Sequence, residues 1–175
     1  MDLYRPSEWH DFFLTVAGGA AALTGLVVVA MSLHLDVIAR DSALRHRARS
    51  VLFGLGAVFV RAALVLMGGQ DHRAVAAEIF AVCLAAGVAG AASFTGVLRR
   101  GGGTPKVFLV RTVANTGFYL LEMGGASALF LGSGAGLYVI GIAIMANISL
   151  MITGAWLLLI GVSTDETAAA GSRPG

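Results

Sequence analysis

The chain has 175 residues, the length of one compact unit. Hydrophobic residues make up 57% of it and charged residues only 13%, where a soluble domain carries about 25% charge. With a mean hydropathy of +0.83, that balance excludes a soluble enzyme, a nucleic-acid binder and a disordered regulator, and implies a polytopic membrane protein. The net charge is only +2, and a single cysteine, Cys83, leaves no disulfide framework and no cysteine-based zinc site.

Five apolar stretches are long enough to cross about 30 Å of hydrocarbon, and lipid offers no hydrogen-bond partners, so each is expected to be a helix. The fold class is therefore all-α, a five-span transmembrane bundle forming one domain over residues 1–162. Span one, residues 12–33, has no charged residue, and Ser7 after Pro6 is placed to cap its start. Span two, residues 51–67, is interrupted by Arg61, with Asp41 or Ser42 as candidate caps. Span three, residues 74–98, follows the cap candidate Asp71 and carries Glu78 near its start. Thr104 before Pro105 opens span four, residues 107–131, which contains Arg111, Asn115, Tyr119 and Glu122. A glycine-rich turn at 132–136 leads into span five, residues 137–162, with Asn147 near its middle. The remainder, 163–175, is small and polar and reads as a disordered tail.

Lysine and arginine placement sets the orientation. Arg40, Arg45, Arg47, Arg49, Arg99, Arg100, Lys106 and Arg173 fall on one side, and only Arg5 and Arg73 on the other. The N-terminus is thus expected outside and the C-terminus in the cytoplasm. Asp2, Glu8 and Asp11 argue against a cleaved leader. Arg40, Arg45, Arg47 and Arg49 are expected to contact anionic lipid head groups on the cytoplasmic side. Eleven arginines against one lysine, with abundant alanine, glycine and valine, suggest a GC-rich bacterial genome and hence a bacterial inner membrane.

Small residues let membrane helices approach closely. Gly18, Ala22 and Gly25 on span one, Gly54 on span two and Gly154 on span five are the expected packing positions. Span one's stripe could instead be a subunit interface in a homo-oligomer.

Charges at depth carry the functional reading. Arg61 lies about 11 Å, and Glu122 about 14 Å, from the outer ends of their spans at 1.5 Å per residue. Opposite in sign and similar in depth, they are expected to form an intramembrane ion pair facing the protein interior. Asn147 and Glu78, with Asn115 and Tyr119 on Glu122's own helical face, extend it into a polar layer. On the outer surface His10, Asp11, Asp71 and His72 form a candidate metal or pH-sensing group, without any motif spacing to support it. No H-E-x-x-H, G-x-S-x-G, Walker or C-x-x-C pattern occurs, and no nucleophile stands beside a base at depth. No enzymatic activity and no cofactor are expected, and Cys83 reads as inert core.

Trp9-His10-Asp11-Phe12-Phe13, then Ala22-Leu23-Thr24-Gly25-Leu26 and Val29-Ala30-Met31-Ser32, give the pattern W-x-x-F-F, A-L-x-G-L, V-A-x-S. It resembles the opening of an uncharacterised group of small bacterial multi-span proteins. The resemblance covers the first span and its flanks, about a fifth of the chain. It implies a multi-span membrane fold and assigns no activity. Two expectations follow for function: an oligomeric channel or transporter for an ion or small solute, or a non-transporting subunit that meets a membrane partner through glycine-rich faces.

Overall fold

The computed structural model describes residues 6–40, 42–99 and 106–171. Those residues form six helices and no strand: α1 Pro6–Leu33, α2 Leu35–Arg40, α3 Ser42–Leu66, α4 His72–Arg99, α5 Lys106–Phe130 and α6 Ala135–Gly171. Each of the five long ones overlaps one of the five expected apolar stretches. Four contain segments long and apolar enough to cross a membrane: Ser7–Leu33, Leu44–Leu66, His72–Ala92 and Ala135–Leu157. They fit a multi-pass membrane protein. At 25 residues α5 is as long as α3, but Asn115, Tyr119, Glu122 and their polar neighbours keep it out of that group.

Helix boundaries follow local chemistry. Pro6 opens α1, where its missing N–H costs nothing, so Ser7 lies inside the helix and is not its cap. The Asp71 carboxylate accepts the Ala74 N–H at 2.8 Å and caps α4 as expected. Asp41, Thr104 and Pro105 lie outside the described residues. After α5, Gly132 takes φ 86°, its N–H donates to Leu129 O and the Ser133 N–H donates to Ala128 O. This is a Schellman stop, which needs a left-handed residue and therefore favours glycine.

Two segments differ from the sequence reading. Arg45, Arg47 and Arg49, expected in a loop, stand on the first turns of α3. No glycine or proline interrupts 35–53, and arginine, alanine and leucine are good helix formers. Residues 163–171, expected to be a disordered tail, continue α6, which ends on Ala168-Ala169-Ala170 and Gly171. Alanine's helix propensity carries the helix on past its apolar part.

Helices α3, α4, α5 and α6 form a ring in which each packs on the next and α6 closes against α3. Helix α1 leans on α3 from outside. Its aromatic end reaches α6, with the Trp9 and Tyr138 rings 4.6 Å apart edge to face. The N-terminus of α1, the α3–α4 turn and the α5–α6 turn thus share one end of the bundle, and successive long helices run antiparallel. Backbones of α3 and α5 make no close approach among the described residues and face each other across the ring's diagonal.

The molecule is apolar outside. Leu33, Phe53, Leu26 and Trp156 are 63–76% exposed, while the buried polar side chains among the described residues are Arg61, Glu122 and Asn147, each 0% exposed. Such an outward face suits lipid better than water.

Close packing falls on other glycines than those expected. Gly18, Ala22 and Gly25 are exposed, and a Cβ at Gly18 or Gly25 would meet nothing within 4 Å, so this stripe does not pack inside the chain. It lies on the side of α1 opposite Phe13, Val16, Ala17 and Ala20, which turn inward. Gly54 and Gly154 are buried as expected, Gly54 directly against the Met151 side chain. The tightest backbone approach joins Gly125 and Gly136: a Cβ on Gly136 would stand 2.5 Å from Gly125 O and 2.6 Å from Leu129 N. Both obstacles are backbone and cannot rotate away. Gly136→Ala should therefore destabilise the bundle by about 1–3 kcal/mol through overpacking. Gly18→Ala should be neutral or stabilising by up to about 1 kcal/mol through helix propensity. Reversible denaturant titration in bicelles, followed by circular dichroism, measures both.

Candidate functional site: a charged pair across the helix ring

Arg61 projects from α3 and Glu122 from α5, the two diagonal helices. Arg61 Nη1 donates to Glu122 Oε2 at 2.5 Å, and both side chains are fully buried. Long side chains close this gap, since the backbones that carry them make no close approach among the described residues. The expected ion pair is present.

The surroundings hold each partner in place. Arg61 Nε donates to Ala57 O one turn earlier on α3 at 3.0 Å. The guanidinium carbon lies 5.1 Å from the centre of the Tyr119 ring, within cation–π range. From α4, the Cys83 Sγ donates to Glu122 Oε2 at 3.1 Å and lies 3.9 Å from Arg61 Nη1. Cys83 and Tyr119 both belong to the main apolar cluster, so the pair is embedded in hydrophobic packing. Cys83 is core, as expected, and its thiol also contacts the charged pair. Its depth was available from sequence: nine residues into span three is about 14 Å, Glu122's own level.

This pair is not a two-pronged Arg–carboxylate clamp. One oxygen and one nitrogen carry the contact, while Arg61 Nη2 and Glu122 Oε1 are buried with no hydrogen-bond partner. A bidentate fork would satisfy both and hold geometry more tightly. Two unmade polar contacts in an apolar interior are costly, at about 1–3 kcal/mol each and more for charged groups.

The rest of the expected polar layer divides by depth. Asn147 Nδ2 donates to Asn115 Oδ1 at 3.1 Å, and Asn147 Oδ1 is buried without a partner. Asn115 precedes Glu122 by seven residues, about 10 Å along α5, so the asparagines form a separate, deeper layer. The Gly125–Gly136 contact sets this register. Counting ten residues back along α5 and eleven forward along α6 brings Asn115 and Asn147 level. Counting from the sequence end of span five misses this offset because the tight turn starts α6 beside Gly125. Asn115, Tyr119 and Glu122 do share one face of α5, as their spacing implies.

Glu78 does not join the pair. It is half-buried and accepts both of its contacts from Gln70 Nε2, at 2.9 and 3.0 Å, tying α4 to the α3–α4 turn. Sequence reasoning missed Gln70, whose position beside Asp71 in a short turn was the available signal. The outer metal reading finds no support. Among the described residues no three His, Cys, Asp or Glu side chains converge on a metal position. Asp71 is spent on capping α4, while His10 and Asp11 are exposed on α1. Arg40, Arg45, Arg47 and Arg49 are exposed at the other end of the bundle, where Arg45 Nη1 donates to Ala39 O at 3.0 Å. The Arg111 side chain lies outside what the structure describes.

Compared with protein families, curated proteins and solved structures, the chain matches none of them.

Removing one partner of a buried pair strands the other, and the expected cost is about 3–5 kcal/mol. Glu122→Ala and Arg61→Ala should each lower stability by that order. The double variant Arg61→Met with Glu122→Leu should recover most of the loss, because apolar replacements of similar volume leave no stranded charge. The same bicelle titration applied to all three measures the loss and its recovery.

Proposed function

We propose that the protein is a small membrane channel or transporter for an ion or small polar solute. The observation that carries this reading is the incomplete charged pair at the centre of the helix ring. A charge at mid-membrane depth costs about 2.5–3.5 kcal/mol on insertion scales, and intramembrane ionisable groups usually mark a pathway or relay. A purely structural bridge would do better with both prongs of the guanidinium engaged. Arg61 Nη2 and Glu122 Oε1 are instead left to a polar visitor, and Cys83 and Tyr119 border the same point. The Asn115–Asn147 pair, about 10 Å further along α5, supplies a second polar step on the same side of the ring.

The topology in this proposal has five crossings, with α5 as the fourth. Its polar residues Tyr119 and Glu122 face the ring, while Val113, Leu120, Leu121 and Phe130 are exposed and suited to lipid. An odd number of crossings agrees with Pro6 and Gly171 standing at opposite ends of the bundle. The arginine excess at the end holding Arg45, Arg47 and Arg49 favours a cytoplasmic placement there, with the N-terminus outside. The composition favours a bacterial inner membrane. Five short-looped crossings make a modest pore lining, so a homo-oligomer is part of the proposal.

A second reading has its own support. Gly18, Ala22 and Gly25 stand exposed at small-residue spacing on α1, a surface suited to another membrane helix. In that reading the protein is a non-transporting subunit or modulator, and its charged pair fixes the register of its own bundle.

Proteoliposome flux separates the two. Transport predicts flux of an ion or small solute above protein-free vesicles, reduced at least tenfold in Glu122→Gln while helix content is kept. Absence of flux across monovalent ions, divalent ions and small polar solutes rejects it. Co-purification of a distinct membrane protein, abolished by Gly18→Leu, would then favour the subunit reading.

A further inference from the structure

Helices α3 and α4 are the loosest neighbours of the ring, and an apolar groove of about 650 Å³ opens between them on the outer surface. Arg49, Gly56 and Val60 line it from α3, and Val82, Ala85 and Ala86 from α4. Arg49 is the one charged residue in its lining. We propose that this groove binds one glycerophospholipid with an anionic headgroup, its phosphate on Arg49 and one acyl chain running between α3 and α4.

Three observations fix the occupant. The first is charge. Arg49 is exposed at the groove's end, and Arg45 lies one turn away on the same side of α3, so that end favours an anion. The second is length. Arg49 to Val60 is eleven residues, about 16 Å, which matches one leaflet of a hydrocarbon core about 30 Å thick. The charge therefore stands where a headgroup would be, and the groove's far end stands near the bilayer middle. The third is width. Helices α3 and α4 stay in backbone contact, so the slot between them is too narrow for a third helix about 10 Å across. An acyl chain is thinner and fits between small side chains.

The groove also reaches the charged site. Its far end is formed by Val60 and Val82, the residues next in sequence to Arg61 and Cys83. Ala57, whose carbonyl accepts the Arg61 Nε–H, is part of its wall. A bound chain thus seals the gap between α3 and α4 beside the buried pair and excludes lipid headgroups and water from that side.

The full chain, purified in neutral detergent, is titrated with phosphatidylglycerol and with phosphatidylcholine of identical chains, and retained lipid is counted by native mass spectrometry. The expected result is one tightly held phosphatidylglycerol, at least tenfold preferred over phosphatidylcholine. Arg49→Ala should remove the preference, and Arg47→Ala, outside the groove, should not. Gly56→Phe should lower retention of both lipids at least tenfold. A Cβ at Gly56 meets nothing within 4 Å, so the ring fills the groove without a backbone clash. Ala85→Phe, at an exposed position, does the same from α4 and should reproduce the loss. Equal binding of the two lipids by the wild type, or equal effects of Arg47→Ala and Arg49→Ala, overturns the proposal. So does unchanged retention in both phenylalanine variants, or loss of a dimer in place of loss of lipid.

Discussion

Everything inside this bundle is arranged around one expensive object, a charged pair joined across the diagonal of four helices. Arg61 and Glu122 are carried by α3 and α5, whose backbones make no close approach among the described residues, and the reach of two long side chains spans the ring. Taking both charges out of water is unfavourable by several kcal/mol each unless the geometry returns it. Part of the return comes from the contact itself, from the Ala57 carbonyl, from the Tyr119 face and from the Cys83 thiol. The remaining nitrogen and oxygen have no partner within the protein. A chain that minimised only its folding free energy would favour an apolar pair at this point. The retained deficit is the physical reason for reading the centre of the ring as a place where something polar acts.

Packing around the pair is set by small residues at particular heights. The Gly125–Gly136 approach fixes how far α6 stands along α5, which in turn aligns Asn115 with Asn147 well below Glu122. Gly54 admits Met151 between α3 and α6 at the opposite end. Loose contact between α3 and α4 leaves an outer groove alongside the charges. The same four helices therefore combine a closed seam, where glycine backbones touch, with an open one facing lipid.

How much of this was readable in the sequence depended on whether the signal was local or relational. Hydrophobic runs located all five long helices, and depth counted from their ends paired Arg61 with Glu122, because both span boundaries were clear. The height of Asn147 is not legible in span five alone, because it depends on how tightly α5 turns into α6 at the Gly125–Gly136 contact. Depth alone places Glu78 near the pair, while its partner, Gln70, sits in a turn that periodicity does not describe. Gly18, Ala22 and Gly25 form the right stripe for close packing, yet α1 rests on α3 by one side only and turns that stripe outward. The arginines at 45–49 gather at one end of the bundle, and helix propensity makes their segment part of α3.

Across the whole chain, 13% charge first served to exclude water as the solvent. Among the described residues most charges lie toward helix ends, and the two fully buried ones meet each other. The most direct test is solid-state NMR on the protein in lipid bilayers, with ¹⁵N in the Arg61 guanidinium and ¹³C in the Glu122 carboxyl group. The account predicts strong dipolar coupling between the Arg61 Nη nitrogens and the Glu122 carboxyl carbon, abolished in Glu122→Ala. Absence of that coupling in the wild-type protein would contradict it.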